Sequence, residues 1–202
     1  HNGGRQYDYL FWMDADTMIM NLNKSLEDII SMARPEKSII ISGDTNIINS
    51  AQVLWGNTYT SIHTLGTLWE MECRPNVPLY ENGQFSSMIA GCKPQDTPEA
   101  KKECYNRVDF YRGEGAAAVA TQIKAGNISG IAISEWAKRA IQWVPKTVMN
   151  SYRDDFRPGQ FLFHSVGVGG HHKKPIWLER MFNESLIYNN IRRGELLNQY
   201  SL

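Results

Sequence analysis

Two aspartates one residue apart, Asp14 and Asp16, follow the apolar run Tyr9-Leu10-Phe11-Trp12-Met13. An apolar run of that length reads as a buried strand, which places both carboxylates just beyond its carboxyl end. In open α/β sheets that edge is where ligands gather. Carboxylates so spaced on a turn can face one divalent cation, and oxygen ligands of this kind suit Mg²⁺ or Mn²⁺ while leaving positions for phosphate oxygens. The bland reading of the same residues is a solvated turn capped by aspartates. A second candidate is His164, which ends the apolar run Phe161-Leu162-Phe163 and precedes Ser165-Val166-Gly167-Val168-Gly169-Gly170. An imidazole at a strand end can ligate a metal, and the amides of a glycine-rich loop can approach a phosphate. His171, His172, Lys173 and Lys174 come next and could supply positive charge to a departing diphosphate. Asp44, Asn49, Gln84, Asn150 and Tyr152 form a weaker group, each as much a cap or turn residue as a ligand.

These residues need elements to hold them. Tyr7 to Met13, Ser38 to Ser42, Ile47 to Trp55, Ile128 to Ile133, Ala140 to Pro145 and Gln160 to His164 read as strands. Asn21 to Ala33 reads as a helix, with Ser25 and Asp28 in a capping-box pattern and an apolar stripe of Leu26, Ile29, Ile30 and Met32. Thr58 to Glu72 fits a helix with Ile62, Leu65, Leu68 and Trp69 on one side. Gln84 to Ala90, Gly113 to Ala125 and Ile176 to Leu197 are also helical in pattern, and Pro94 to Glu103 reads as a surface insertion. Strands alternating with helices predict an α/β fold with a mostly parallel sheet flanked by helices.

The whole chain has 202 residues, 42% of them hydrophobic, enough for one well-buried domain. Lys+Arg and Asp+Glu both number 21. That balance argues against nucleic acid, which calls for a basic stripe. No apolar run reaches the ~18 residues that a membrane span requires, although an upstream anchor is compatible with the sequence. The three cysteines, Cys73, Cys92 and Cys104, show no Cys-x-x-Cys spacing, which disfavours structural zinc. Cys92 and Cys104 bracket a polar loop that a disulfide could close. Asn-x-Ser triplets begin at Asn23, Asn127 and Asn183 and lean toward the secretory pathway.

The order of these segments resembles a known family. Residues 9–21, Tyr-Leu-Phe-Trp-Met-Asp-Ala-Asp-Thr-Met-Ile-Met-Asn, are similar to the signature of the galactosyl-, mannosyl- and xylosyltransferases, a family that includes yeast Golgi mannosyltransferases and plant xyloglucan xylosyltransferases. Asp44 to Ala51 is similar to that family's Asp…Asn-Thr/Ser-Gly segment. Val144-Pro145, Asn150-Ser151-Tyr152 and Pro158 to Gly167 resemble its Pro…Asn-x-Tyr…Gly-Asp-Phe…His-Phe-Ala-Gly stretch. Ala51 stands where the family has Gly, Gly83 where an acidic residue precedes Gln84, and Val168 where it has Cys. Lys174-Pro175-Ile176-Trp177 is instead similar to the Lys-Pro-Trp of glycogenin-like transferases.

The resemblance implies a GT-A fold over 1–202 as a single catalytic domain, with 92–104 as an insertion; ahead of Asp14 either that fold's N-terminal base-binding elements are missing or the base is held differently. It implies a retaining, metal-dependent transfer of sugar from a nucleotide-sugar, UDP rather than GDP, to a glycan or other hydroxyl acceptor in the Golgi lumen. Asp14, Asp16 and His164 would hold Mn²⁺ or Mg²⁺. Asp14, Ala15, Asp16, Asn49, Gly167, Lys173 and Lys174 would contact the donor, and Gln84 and Asp44 would serve catalysis. Two other classes compete. A haloacid-dehalogenase-type phosphohydrolase also sets Asp-x-Asp after an apolar strand, but it needs Thr where this chain has Met18, and Thr17 comes one position early. A non-catalytic sugar- or nucleotide-binding remnant would share the family's segments without turnover.

Overall fold

The computed structural model describes residues 7–44, 47–71, 80–92, 97, 99–100, 116–128, 133–165 and 174–190. The chain forms two compact units, one from His1–Trp12 and Met32–Lys146, the other from Met13–Ser31 and Thr147–Leu202.

The first unit is built on a four-stranded sheet. Its strands are β1 (Tyr9–Met13, whose last residue belongs to the second unit), β3 (Ile39–Asp44), β4 (Ile47–Gly56) and β5 (Ile141–Val144), in the order β1-β4-β3-β5. Strand β3 runs parallel to β5 and antiparallel to β4, so the sheet is mixed where a mostly parallel one was expected. The reason lies in the connection. Only Thr45 and Asn46 separate β3 from β4, and a parallel pair needs a crossover of roughly a dozen residues. Ile47 closes this hairpin at φ 74°, a left-handed conformation costly for a β-branched residue. Its side chain is buried, which offsets the strain.

Helices α2 (Tyr59–Glu70), α3 (Tyr80–Ile89), α4 (Ala116–Lys124) and α5 (Glu135–Ala140) also belong to this unit; α3 packs on β4, α4 on β3 and α5 on β5. Ile39, Ile41, Ile48, Val53 and Ile141 meet Phe85, Ile89 and Ile123 in one apolar core, and Trp55 stacks on Phe85 at 5.6 Å. Gly43 lets α4 come close, since a Cβ there would stand 2.1 Å from Ile123 Cγ2 and 2.3 Å from the Ile123 carbonyl oxygen. Between Ile41 and Gly43 the register with β4 shifts, and side chains satisfy the backbone of the displaced segment. Asn49 Oδ1 accepts from the Ala51 amide at 2.8 Å and Asn82 Oδ1 from the Ser50 amide at 2.5 Å.

Two expectations change here. Strand β1 is an exposed edge, with Leu10 59% and Trp12 56% accessible, because β4 is its only sheet neighbour among the described residues. On α2, Ile62, Leu65 and Trp69 face outward, while Ser61 and Thr64 are buried. Ser61 Oγ donates to the Ser38 carbonyl at 3.0 Å, so small polar residues seat the helix. The 94–103 insertion and the 128–133 strand fall mostly outside the described residues. Cys92 is disulfide-bonded, and its partner lies outside them. No described helix is long and apolar enough to cross a membrane.

Among its described residues the second unit contains β2 (Thr17–Ile19), antiparallel to β6 (Leu162–His164), and the helices α1 (Leu26–Ile30), α6 (Lys146–Met149, whose first residue belongs to the other unit) and α7 (Lys174–Tyr188). The Ser25–Asp28 capping box forms as expected, with the Ser25 amide on Asp28 Oδ2 at 2.8 Å and the Asp28 amide on Ser25 Oγ at 3.2 Å. It starts a helix of one turn and a half rather than one spanning 21–33, because Asn21 Oδ1 accepts from the Asn23 amide and holds the preceding residues in a turn. Met20, Phe163 and Met181 form the core, with Phe156 set edge-on to Phe163 at 5.8 Å.

Candidate metal centre

Asp14, Ala15 and Asp16 occupy a β-turn between β1 and β2, closed by the Thr17 amide donating to the Asp14 carbonyl at 3.1 Å. A turn with exposed Ala15 at its tip leaves the flanking carboxylates half-buried. Strand β2 then runs back along β6 with Thr17 opposite His164, and the Ser165 amide donates to the Asp16 carbonyl at 3.0 Å. This pairing, 148 residues apart in the chain, brings His164 Nε2 to 3.1 Å from Asp16 Oδ1. One ligand atom from each of Asp14, Asp16 and His164 lies within 4.8 Å of the others. All three belong to the second unit.

His164 is buried and held from behind. Its Nδ1 lies 2.8 Å from Asn150 Oδ1. With that oxygen accepting, Nδ1 carries a proton and Nε2 faces the Asp16 carboxylate. Two lone pairs 3.1 Å apart repel unless a proton or a cation lies between them. The donor types also fit a divalent cation: two carboxylates and an imidazole, with Asn150 orienting that imidazole from behind. Asn150 is itself fully buried, and among the described residues its Nδ2 has no hydrogen-bond partner. The ring is also positioned by its backbone, since the His164 amide donates to the Ser151 carbonyl at 2.8 Å, and by Tyr152, edge-on at 5.6 Å. Asn150 and Tyr152, weak candidates from sequence, thus stand beside the histidine.

The other candidates lie elsewhere. Asp44, Asn49 and Gln84 belong to the first unit. Asp44 is buried, with Lys146 Nζ 3.8 Å from its carboxylate. Asn49 serves the β4 backbone, and Gln84 Nε2 donates to the Met71 carbonyl at 3.3 Å. Gly167, Lys173 and the Lys174 side chain lie outside the described residues. Asn82, which holds the β4 backbone, was missed because nothing local in sequence pairs it with Ser50. No family model, curated protein or solved structure matches this chain.

Proposed function

We propose that this chain is the catalytic part of a metal-dependent, retaining glycosyltransferase of GT-A type, moving a sugar from a nucleotide-sugar to a hydroxyl acceptor. The observation that carries this is the Asp14–Asp16–His164 cluster with Asn150 behind the histidine. A mixed carboxylate and imidazole set suits Mn²⁺ or Mg²⁺ alongside phosphate oxygens. When bound, the cation supplies Lewis-acid neutralisation of charge on the departing diphosphate. Asp14 and Asp16, on a backbone turn, would hold it together with His164, whose ring is oriented by its bond to Asn150. Through the resemblance, Gly167, Lys173 and Lys174 would contact the phosphates. The disulfide at Cys92 supports an oxidising compartment such as the Golgi lumen.

The test is a panel of UDP- and GDP-sugars with Mn²⁺, read as release of nucleoside diphosphate. Turnover of at least one UDP-sugar is expected. Chelation should stop it, and Asp14→Ala or Asp16→Ala should lower it by ~100-fold or more. Release of phosphate from a simple phosphate ester without any nucleotide-sugar would replace the proposal with a phosphohydrolase. Donor binding without turnover would leave a binding remnant.

A further inference from the structure

The first unit holds a cavity of 620 Å³ between one face of α2, the end of α3 and the start of α5. We propose that this cavity binds a neutral oligosaccharide. It lies within the size range of small-ligand sites, roughly 300–1,000 Å³. Along α2, Tyr59, His63, Thr67 and Glu70 share one face at helical spacing, and Trp136 of α5 lines the cavity with them. Tyr59 is 81% exposed and packs its ring against His63 at 5.9 Å, forming a ledge. Aromatic faces of this kind cover the C–H surfaces of a pyranose, while hydroxyl, imidazole and carboxylate groups take its hydroxyls. Thr67 Oγ1 already donates to the His63 carbonyl at 2.9 Å, which leaves its oxygen to accept.

Charge narrows the ligand. The lining has no Lys or Arg among the described residues, and it carries the Glu70 carboxylate. That carboxylate opposes an anion such as a nucleotide, a phosphate or an acidic glycan beside it. The walls are tied together before any ligand arrives. Ser134 at the head of α5 donates both its amide and its hydroxyl to the Ile89 carbonyl, each at 2.8 Å. Gly91, at φ 99°, ends α3 and leads into the disulfide-bonded Cys92 on the same wall. A rim fixed in this way loses little entropy on binding.

This inference does not rest on the metal centre, which belongs to the other unit. The test is calorimetry on the whole chain in excess EDTA, with maltotriose, cellotriose and mannotriose as probes. Saturable binding of at least one is expected. Tyr59→Ala and Glu70→Gln should each weaken it about tenfold, with circular dichroism confirming an unchanged fold. Both side chains are at the surface of α2, so neither substitution threatens folding. The proposal is overturned if none of the three binds at about 10 mM, well above a weak site's dissociation constant. It is also overturned if both variants bind as the parent does, or if choline binds and no sugar does.

Discussion

His164 connects most of the second unit's chemistry. It ends β6, donates its backbone amide to the Ser151 carbonyl, and turns one ring nitrogen to Asn150 and the other to Asp16. A ligand histidine free to rotate would lose its aim, and removing an outer partner of such a ligand costs roughly 10–100-fold in metal affinity. Asn150→Leu should accordingly weaken Mn²⁺ binding by that factor in calorimetry, while Asn150→Asp, which keeps an acceptor beside Nδ1, should retain more of it. Equal affinity in the parent and Asn150→Leu would show that the histidine is not held from this side. Asn49 is tested differently. Its Oδ1 satisfies the Ala51 amide inside the sheet, and leaving a buried donor unmet costs about 1–3 kcal/mol. Asn49→Ala should lower unfolding stability by that amount in urea. A role confined to the donor would instead raise KM and leave the urea midpoint in place.

At the level of elements, close approach decides where side chains can be tolerated. Helix α4 presses on β3 at Gly43, where an added Cβ would meet both a side-chain methyl and a backbone carbonyl of Ile123. The carbonyl cannot swing away as a flexible side chain could. Gly43→Ala should therefore cost ~2 kcal/mol or more, measured as a shift in the urea midpoint at constant slope. The elements around the candidate metal centre show the same dependence on partners. Strand β2 has only three residues, Thr17–Ile19, and its local pattern did not announce it. It is a strand because β6 lies opposite, and this pairing sets Asp16 beside His164. Helix α1 is different, since the capping box visible in Ser25 and Asp28 forms from residues adjacent in the chain.

Across the whole molecule, the two units divide the proposed chemistry, with the cation ligands in the second and the oligosaccharide cavity in the first. A ligand that binds only the folded state stabilises it by about 2.7 kcal/mol at a hundredfold excess over Kd. Mn²⁺ should raise the thermal midpoint of the parent chain and leave that of Asp16→Ala unmoved. In hydrogen exchange, Mn²⁺ should slow the amides of 13–31 and 147–165 more than those of the β3–β4 hairpin. Uniform protection of both units would show that they respond to the cation as one cooperative body.

Much of this was written in local sequence. The apolar run before His164 marks a strand because burial favours it, the run before Asp14 is a strand although it lies on an exposed edge, and the capping box of α1 and the Thr58 cap that starts α2 follow from short-range hydrogen bonding. The identities of Asp14, Asp16 and His164 already carry the ligand chemistry. Sheet direction was partly legible as well, since two residues between β3 and β4 cannot make a crossover. What sequence could not contain is distance between remote residues. The mixed strand order, the exposure of β1, the Asn150 bond behind His164 and the closeness of Asp16 to that histidine arise only when segments far apart in the chain pair and pack. A side chain's type sets what it can bind; its partners across the fold decide whether it is aimed to do so.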